Sequence, residues 1–161
     1  MFKAGDMLMS TRKMDDPNFD QALLYLTEVN EEGVTGFIIN KIFPRRFNEL
    51  RDYTGSKALP LFSGGPVEND KLFFIHCRPD LVENAELIAA GIYHGGDFSQ
   101  AVAAINSTEM KADQVKLLLG YCGWDAGELD AELAEGYWAI VNERPVNIFS
   151  DLENAWQQPF N

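Results

Sequence analysis

Two aliphatic and β-branched runs, Gln21–Val29 (QALLYLTEV) and Val34–Asn40 (VTGFIIN), have only the short polar turn Glu31-Glu32-Gly33 between them. Runs of that length and composition joined so tightly form an antiparallel hairpin, and this constrains the fold more than any other feature of the chain. Lys71–Cys77 (KLFFIHC) is a continuous apolar run, as expected of a strand covered on both faces. Leu87–Tyr93, Val115–Tyr121 and Tyr137–Asn142 are further strand candidates, and Pro60–Ser63 is a short one stopped by Gly64-Gly65-Pro66.

Helices are marked by their caps. Asp97-Phe-Ser-Gln100, Asp125-Ala-Gly-Glu128 and Ser150-Asp-Leu-Glu153 share the spacing of a capping box. Gly136 supplies a stop for the second helix, and Phe47–Tyr53 reads as a fourth, short one. Strands and helices alternate only in the second half. The expected fold is therefore α+β: one compact domain over residues 1–161, with a mixed, mainly antiparallel sheet and helices packed on it.

The formal charge of −12 bears on partners. Duplex DNA is bound largely through Lys and Arg that neutralise phosphates, so a chain this acidic argues against direct nucleic-acid binding. Residues 1–80 carry 10 basic and 12 acidic side chains, against 3 and 13 in residues 81–161. Only Lys41–Lys57 runs the other way, with Lys41, Arg45, Arg46, Arg51 and Lys57 against Glu49 and Asp52. It is the one candidate anion-facing patch, and as a solvated loop and helix it needs no such role. The start MFKAGDMLMS lacks an apolar signal region, and no 18 consecutive apolar residues occur. With two cysteines outside any CxxC, these features predict a cytoplasmic chain with no membrane association.

Candidate chemistry is sparse. His76 and Cys77 are adjacent on a strand and point to opposite faces, so they do not share a metal, and no metal or other cofactor is expected. Cys122, between Gly120-Tyr121 and Gly123-Trp124, stands ahead of a helix whose dipole would favour thiolate, while Asp125 and Glu128 oppose it. Gly64-Gly65 and Gly95-Gly96 lack the endings of phosphate-binding loops and read as turns needing positive φ or close backbone approach. Tyr121, Trp124 and Trp138 flank the acidic helix and either floor a ligand pocket or pin that helix to the sheet.

The segment Gly120-Tyr-Cys-Gly-Trp-Asp-Ala-Gly-Glu-Leu-Asp, followed by Glu132 and Trp138, resembles the hallmark of the AlgH/YqgE family of small bacterial proteins. Met7–Ser10, Met14–Phe19, Gly36–Asn40, Gly64–Val67 and Leu72–His76 resemble its other motifs in the same order, so core motifs cover 5–138 and a C-terminal extension covers 144–161. The resemblance implies a compact α+β fold and the label of transcriptional regulator, with no agreed activity. Glu128 and Asp130 depart from the family's usual Gln and Glu around Leu129, which puts any ligand held through that amide in doubt.

The expectation is a non-catalytic binding or regulatory domain acting through a protein or small-molecule partner. Its surface would comprise Asn40, Gly64, Gly65, Pro66, His76, Gly120, Tyr121, Gly123, Trp124, Gly127 and Glu128. The alternative is a small-molecule enzyme, either thiol-dependent or a phosphate or acyl hydrolase, using Cys122 and His76.

Overall fold

The computed structural model describes residues 2–143, 146–153 and 155–156. In chain order the strands are β1 (Met7–Ser10), β2 (Leu23–Asn30), β3 (Gly33–Ile38), β4 (Ile42–Arg46), β5 (Pro60–Ser63), β6 (Val67–His76), β7 (Glu86–Ala89), β8 (Ile92–His94), β9 (Val115–Asp125) and β10 (Trp138–Ile140). Helix α1 (Phe98–Asn106) precedes β9, and α2 (Glu128–Ala134) follows it. The strands join in one sheet, ordered β10-β1-β2-β3-β9-β6-β8-β7, with β4 paired to β5 and β5 to β9. All pairings are antiparallel except β5–β9. The expected α+β fold with a mixed, mainly antiparallel sheet is the fold observed.

The β2–β3 hairpin forms as the sequence predicts, with Asn30 opposite Gly33. Leu87–Tyr93 is not one strand: β7 and β8 fold back on each other around Gly91, which adopts φ 77°. Of the predicted helices, the one after Asp97 forms with that carboxylate as N-cap, accepting from Gln100 N at 3.0 Å. The second is capped differently. Gly127 (φ 85°) is its N-cap residue, and the Glu128 carboxylate reaches back to accept from Asp125 N at 2.6 Å. Phe47–Tyr53 is a pair of 3-10 turns, Phe47–Glu49 and Arg51–Tyr53. No helix starts at Ser150 among the described residues; Asp151 instead accepts from Glu153 N in a local turn.

One face of the sheet carries a core of Met7, Met9, Leu23, Tyr25, Phe37, Ile39, Phe62, Ile75 and Leu118, which Ile148 and Trp156 complete. The other face is covered in two patches. Ala101, Ala104 and Ile105 of α1 pack on Leu61, Phe74, Leu117 and Leu119. Leu129 of α2 packs on Leu24, Leu26, Ile38, Cys122 and Trp124. The ends of the sheet curl toward each other until a Cβ placed on Gly5, ahead of β1, would lie 2.8 Å from the Ala89 Cβ of β7.

Strand β9 joins the two halves. Leu117–Leu119 pair with β5, whereas Cys122–Asp125 pair with β3. Side chains along a strand alternate between faces. Yet Leu119 belongs to the α1 patch and Tyr121, two residues on, packs in the opposite core. The phase slips at Gly120, whose φ of 75° is the left-handed conformation that glycine adopts without steric cost. The slip turns Cys122 and Trp124 toward α2 and leaves Tyr121 on the other face.

Lys116, on β9, is 2% exposed on the core face. Its Nζ donates to Ile39 O at 2.7 Å and Ser150 O at 2.8 Å and lies 3.9 Å from the Phe62 ring centroid. Burial lowers its pKa from the ordinary 10.5 to about 7, Asp151 opposing this weakly.

Candidate functional site

A cleft of about 420 Å³ opens on the helix-covered face, bounded by Leu119 from the α1 patch and Ile38 from the α2 patch. Phe43 and Pro66 add apolar wall, and Asn18, Lys41, Ser63 and Asn69 line it with polar side chains. Gly65 lies in its floor because no side chain fits there: a Cβ would stand 2.2 Å from the Tyr121 carbonyl. Among the described residues no Asp or Glu lines the cleft, in a chain with 25 of them. Lys41 Nζ donates to Asp20 O, which holds the ammonium at the rim. An aliphatic and aromatic wall with a few convergent polar groups and one cation suits a small anionic ligand.

The residues singled out from sequence do not converge here. Of the expected binding surface, Gly65 and Pro66 line the cleft and the other residues lie elsewhere, while Lys41 of the anion-facing stretch lines it as well. Asn40 is buried, its Oδ1 accepting from Leu23 N at 2.8 Å and its Nδ2 donating to Gln21 O at 2.9 Å, so it ties β2 to the end of β3. Gly64 and Gly120 let two backbones cross, since a Cβ on Gly64 would be 2.4 Å from Gly120 O. Gly127 caps α2 and Glu128 caps back to Asp125. Tyr121, Gly123 and Trp124 border a separate hollow of about 330 Å³ with Glu28, Glu32 and Asp125, an acidic environment unlike the cleft.

Trp124 and Trp138 pin α2 to the sheet. Glu132 Oε2 accepts from Trp124 Nε1 at 3.1 Å and Oε1 from Trp138 Nε1 at 2.9 Å, while Phe19 stacks on Trp124 and meets Trp138 edge-on. Those indoles therefore have a packing role, and truncating Trp124 would disturb the fold before it reported on any ligand.

The pair named for an enzyme is also separated. His76 is opposite Val115 at the start of β9, seven residues from Cys122, or on the order of 20 Å at the rise of a strand. His76 is fully buried, with Nε2 at 3.0 Å from Gly95 O and Nδ1 accepting from Arg78 N. That leaves Nε2 as the protonated nitrogen. Cys122 has no exposed surface, its Sγ donates to Gly64 O at 3.4 Å, and burial pushes its pKa up to about 12. With native protein at pH 7.5, a thiol reagent is expected to leave Cys122 unmodified until the chain is unfolded. Cys122 adducts forming at a free-thiol rate in folded protein, located by peptide mapping, would contradict this placement.

Sequence reasoning did not assemble Asn18, Lys41, Ser63 and Asn69. Three of them lie in or beside segments it singled out: Asn18 in Met14–Phe19, Lys41 at the head of the anion-facing stretch Lys41–Lys57, and Ser63 before Gly64. Asn69 has no such signal, because its approach depends on the irregular pairing of β6 between Val67 and Leu72.

A family model described as AlgH-like matches residues 7–161. The chain belongs to the AlgH-like family. The match runs through the segment that carries Ile148 and Trp156 into the core. Among relatives, a UPF0301 protein of Chlorobaculum tepidum is 37% identical over 161 residues, spanning 98% of this chain and 85% of that protein. One from Bacteroides thetaiotaomicron is 31% identical over 156 residues, 96% of this chain and 79% of that protein. The solution structure of AlgH from Pseudomonas aeruginosa is similar with a TM-score of 0.73 and 26% identity, over 91% of this chain and 80% of that one. A crystal structure of a protein from Corynebacterium diphtheriae shares the fold at a TM-score of 0.74 and 16% identity, over 94% of this chain and 86% of its own. No helix among the described residues is long and apolar enough to cross a membrane.

Proposed function

We infer that this AlgH-like chain is a non-catalytic binding domain that takes a small anionic ligand, a carboxylate or a phosphate ester, in the cleft bounded by Ile38 and Leu119. The observation that carries this reading is that no acidic side chain lines it among the described residues, together with Lys41 in its lining, in a protein of net charge −12. In such a field an anion is repelled from most of the surface, so a concavity free of carboxylates is where binding costs least. Ser63, Asn18 and Asn69 supply hydrogen-bond partners that fix orientation. Any regulatory role then runs through the bound ligand or a protein partner, since the mean charge opposes contact with duplex DNA. The separation of Cys122 from His76 removes support for the enzyme reading that paired them.

Thermal-shift titration with a panel of small carboxylates and phosphate esters tests this. At least one compound is expected to raise the melting temperature saturably, and Lys41→Glu is expected to weaken its binding tenfold or more. Asp125→Asn, in the acidic hollow, should leave that binding unchanged. Equal shifts for Lys41→Glu and the parent would sink the assignment.

A further inference from the structure

The segment 146–153 packs on the core face of the sheet without joining any strand. Ile148 is buried there, and Val146, Phe149 and Leu152 lie partly buried against the same cluster. The hydrogen bonds within the segment are local. Ser150 N and Oγ donate to Asn147 O, Phe149 N to Asn147 Oδ1, and Glu153 N to Asp151 Oδ1. Among the described residues, one hydrogen bond ties this segment to the sheet, from Lys116 Nζ to Ser150 O at 2.8 Å. Ahead of the segment β10 pairs with β1, and beyond it Trp156 Nε1 donates to Ser10 O. The stretch is therefore anchored at both ends and has no ladder bonds between, the condition in which a local opening costs less than unfolding the sheet.

The group that makes the tie is itself covered by the segment. Lys116 is 2% exposed, and it meets Ile39 O at the end of β3, the Phe62 ring of β5 and, opposite it on β6, Ile75. Ser150 and Asp151 face it from the segment. Asp151 is the one titratable group that acts on it; that side chain is exposed, and no ion pair joins the two among the described residues. Two carbonyls and a ring replace the hydration of an ammonium incompletely, so burial disfavours the charged form. With the segment in place the pKa is lowered to about 7; lifting admits water and returns it toward the ordinary 10.5. Between those values the lifted state binds a proton that the docked state does not, so lifting becomes more favourable as pH falls from 10.5 to 7 and levels off below 7.

We propose that residues 146–153 form an acid-released strap, in which protonation of Lys116, hydrated only when the strap lifts, favours the lifted state and bares the core face around Ile39, Phe62 and Ile75. The device needs no ligand and is independent of the cleft around Lys41. Release is local, because β1, β2, β3 and β9 keep their pairings while the strap is off.

Hydrogen–deuterium exchange of the full-length chain at pH 9 and pH 6.5, with each rate divided by the intrinsic rate at that pH, tests the proposal. Protection of the amides in 146–153 is expected to be about tenfold or more lower at pH 6.5 than at pH 9. Amides of β2 and β9 are expected to stay far better protected than the strap at both values. In Lys116→Met the strap's protection is expected to be the same at the two pH values. Three results would each overturn the proposal. They are strap amides as protected as those of β2 and β9, which would mean that the strap lifts only when the chain unfolds, strap protection in the parent that is unchanged or higher at pH 6.5, and the parent's pH trend persisting in Lys116→Met. The first two are read on the parent alone, so they decide the matter even where the variant does not fold.

Discussion

Gly120→Ala is expected to leave the protein largely unfolded at 37 °C, and Gly123→Ala three residues away to be nearly silent. Both glycines fall in the segment Gly120–Asp130 that resembles the family's hallmark, so residue type alone does not separate them. The surroundings do. At Gly120 the backbone holds φ 75°, and a new Cβ would meet Gly65 O at 2.2 Å and the Cα of Asn69 at 2.9 Å. Those are backbone atoms in paired strands and loops, not flexible tips that can swing away. Left-handed strain on a non-glycine residue costs about 1 kcal/mol or more, and the overlap adds to it, placing the loss above about 4 kcal/mol against a typical stability of 5–15 kcal/mol. At Gly123 the nearest atom is the Tyr121 Cε2 at 3.6 Å, ordinary contact distance. Chemical denaturation of the two variants checks the pair, and a Gly120→Ala protein as stable as Gly123→Ala would refute the strand crossing described for β9.

The second large effect is a pH dependence centred on Lys116. The unfolded chain binds a proton at this site up to the ordinary pKa of 10.5, the folded chain only up to about 7. Above pH 10.5 the amine is neutral in both states and imposes no penalty. As pH falls from 10.5 toward 7 the unfolded state alone gains the proton, so folding stability declines. Below 7 both states are protonated and the penalty is constant, at about 5 kcal/mol for a shift of this size. Lys116→Met removes that slope while filling similar volume. Its absolute stability is a poorer guide, because Ile39 O and Ser150 O lose their donor. The difference in unfolding free energy, variant minus parent, is therefore the quantity to measure. It should rise by about 3 kcal/mol between pH 9.5 and pH 7, and a flat difference would show that the ammonium is not desolvated as the geometry requires.

Much of the fold was legible because strand periodicity and capping are local signals. Pro60–Ser63, the Gln21–Asn40 hairpin and the capped helix after Asp97 were visible from residue types within a few positions. What was not legible depends on distant partners. Met7–Ser10 is a strand because β2 and β10 pair with it from either side, and with all four residues buried it shows no alternation. Ile42–Arg46 contains Pro44 and is mostly exposed, yet pairs with β5 at the margin of the sheet. The cleft was hidden for the same reason. Asn18, Lys41, Ser63 and Asn69 meet only once β9 has exchanged β5 for β3 at Gly120, whereas the conspicuous glycines and indoles near them serve backbone crossing and helix anchoring.

The position of β1 has a consequence for biosynthesis. Leu8 is opposite Leu24 on one side and Ile140 on the other, and Trp156 Nε1 donates to Ser10 O at 2.6 Å. A nascent chain emerging from the ribosome carries its first strand long before the last one exists. Until residues 138–140 have been made, one edge of β1 has no hydrogen-bonding partner, so the sheet cannot close on that side before β10 arrives and the open edge must be kept from pairing elsewhere in the meantime.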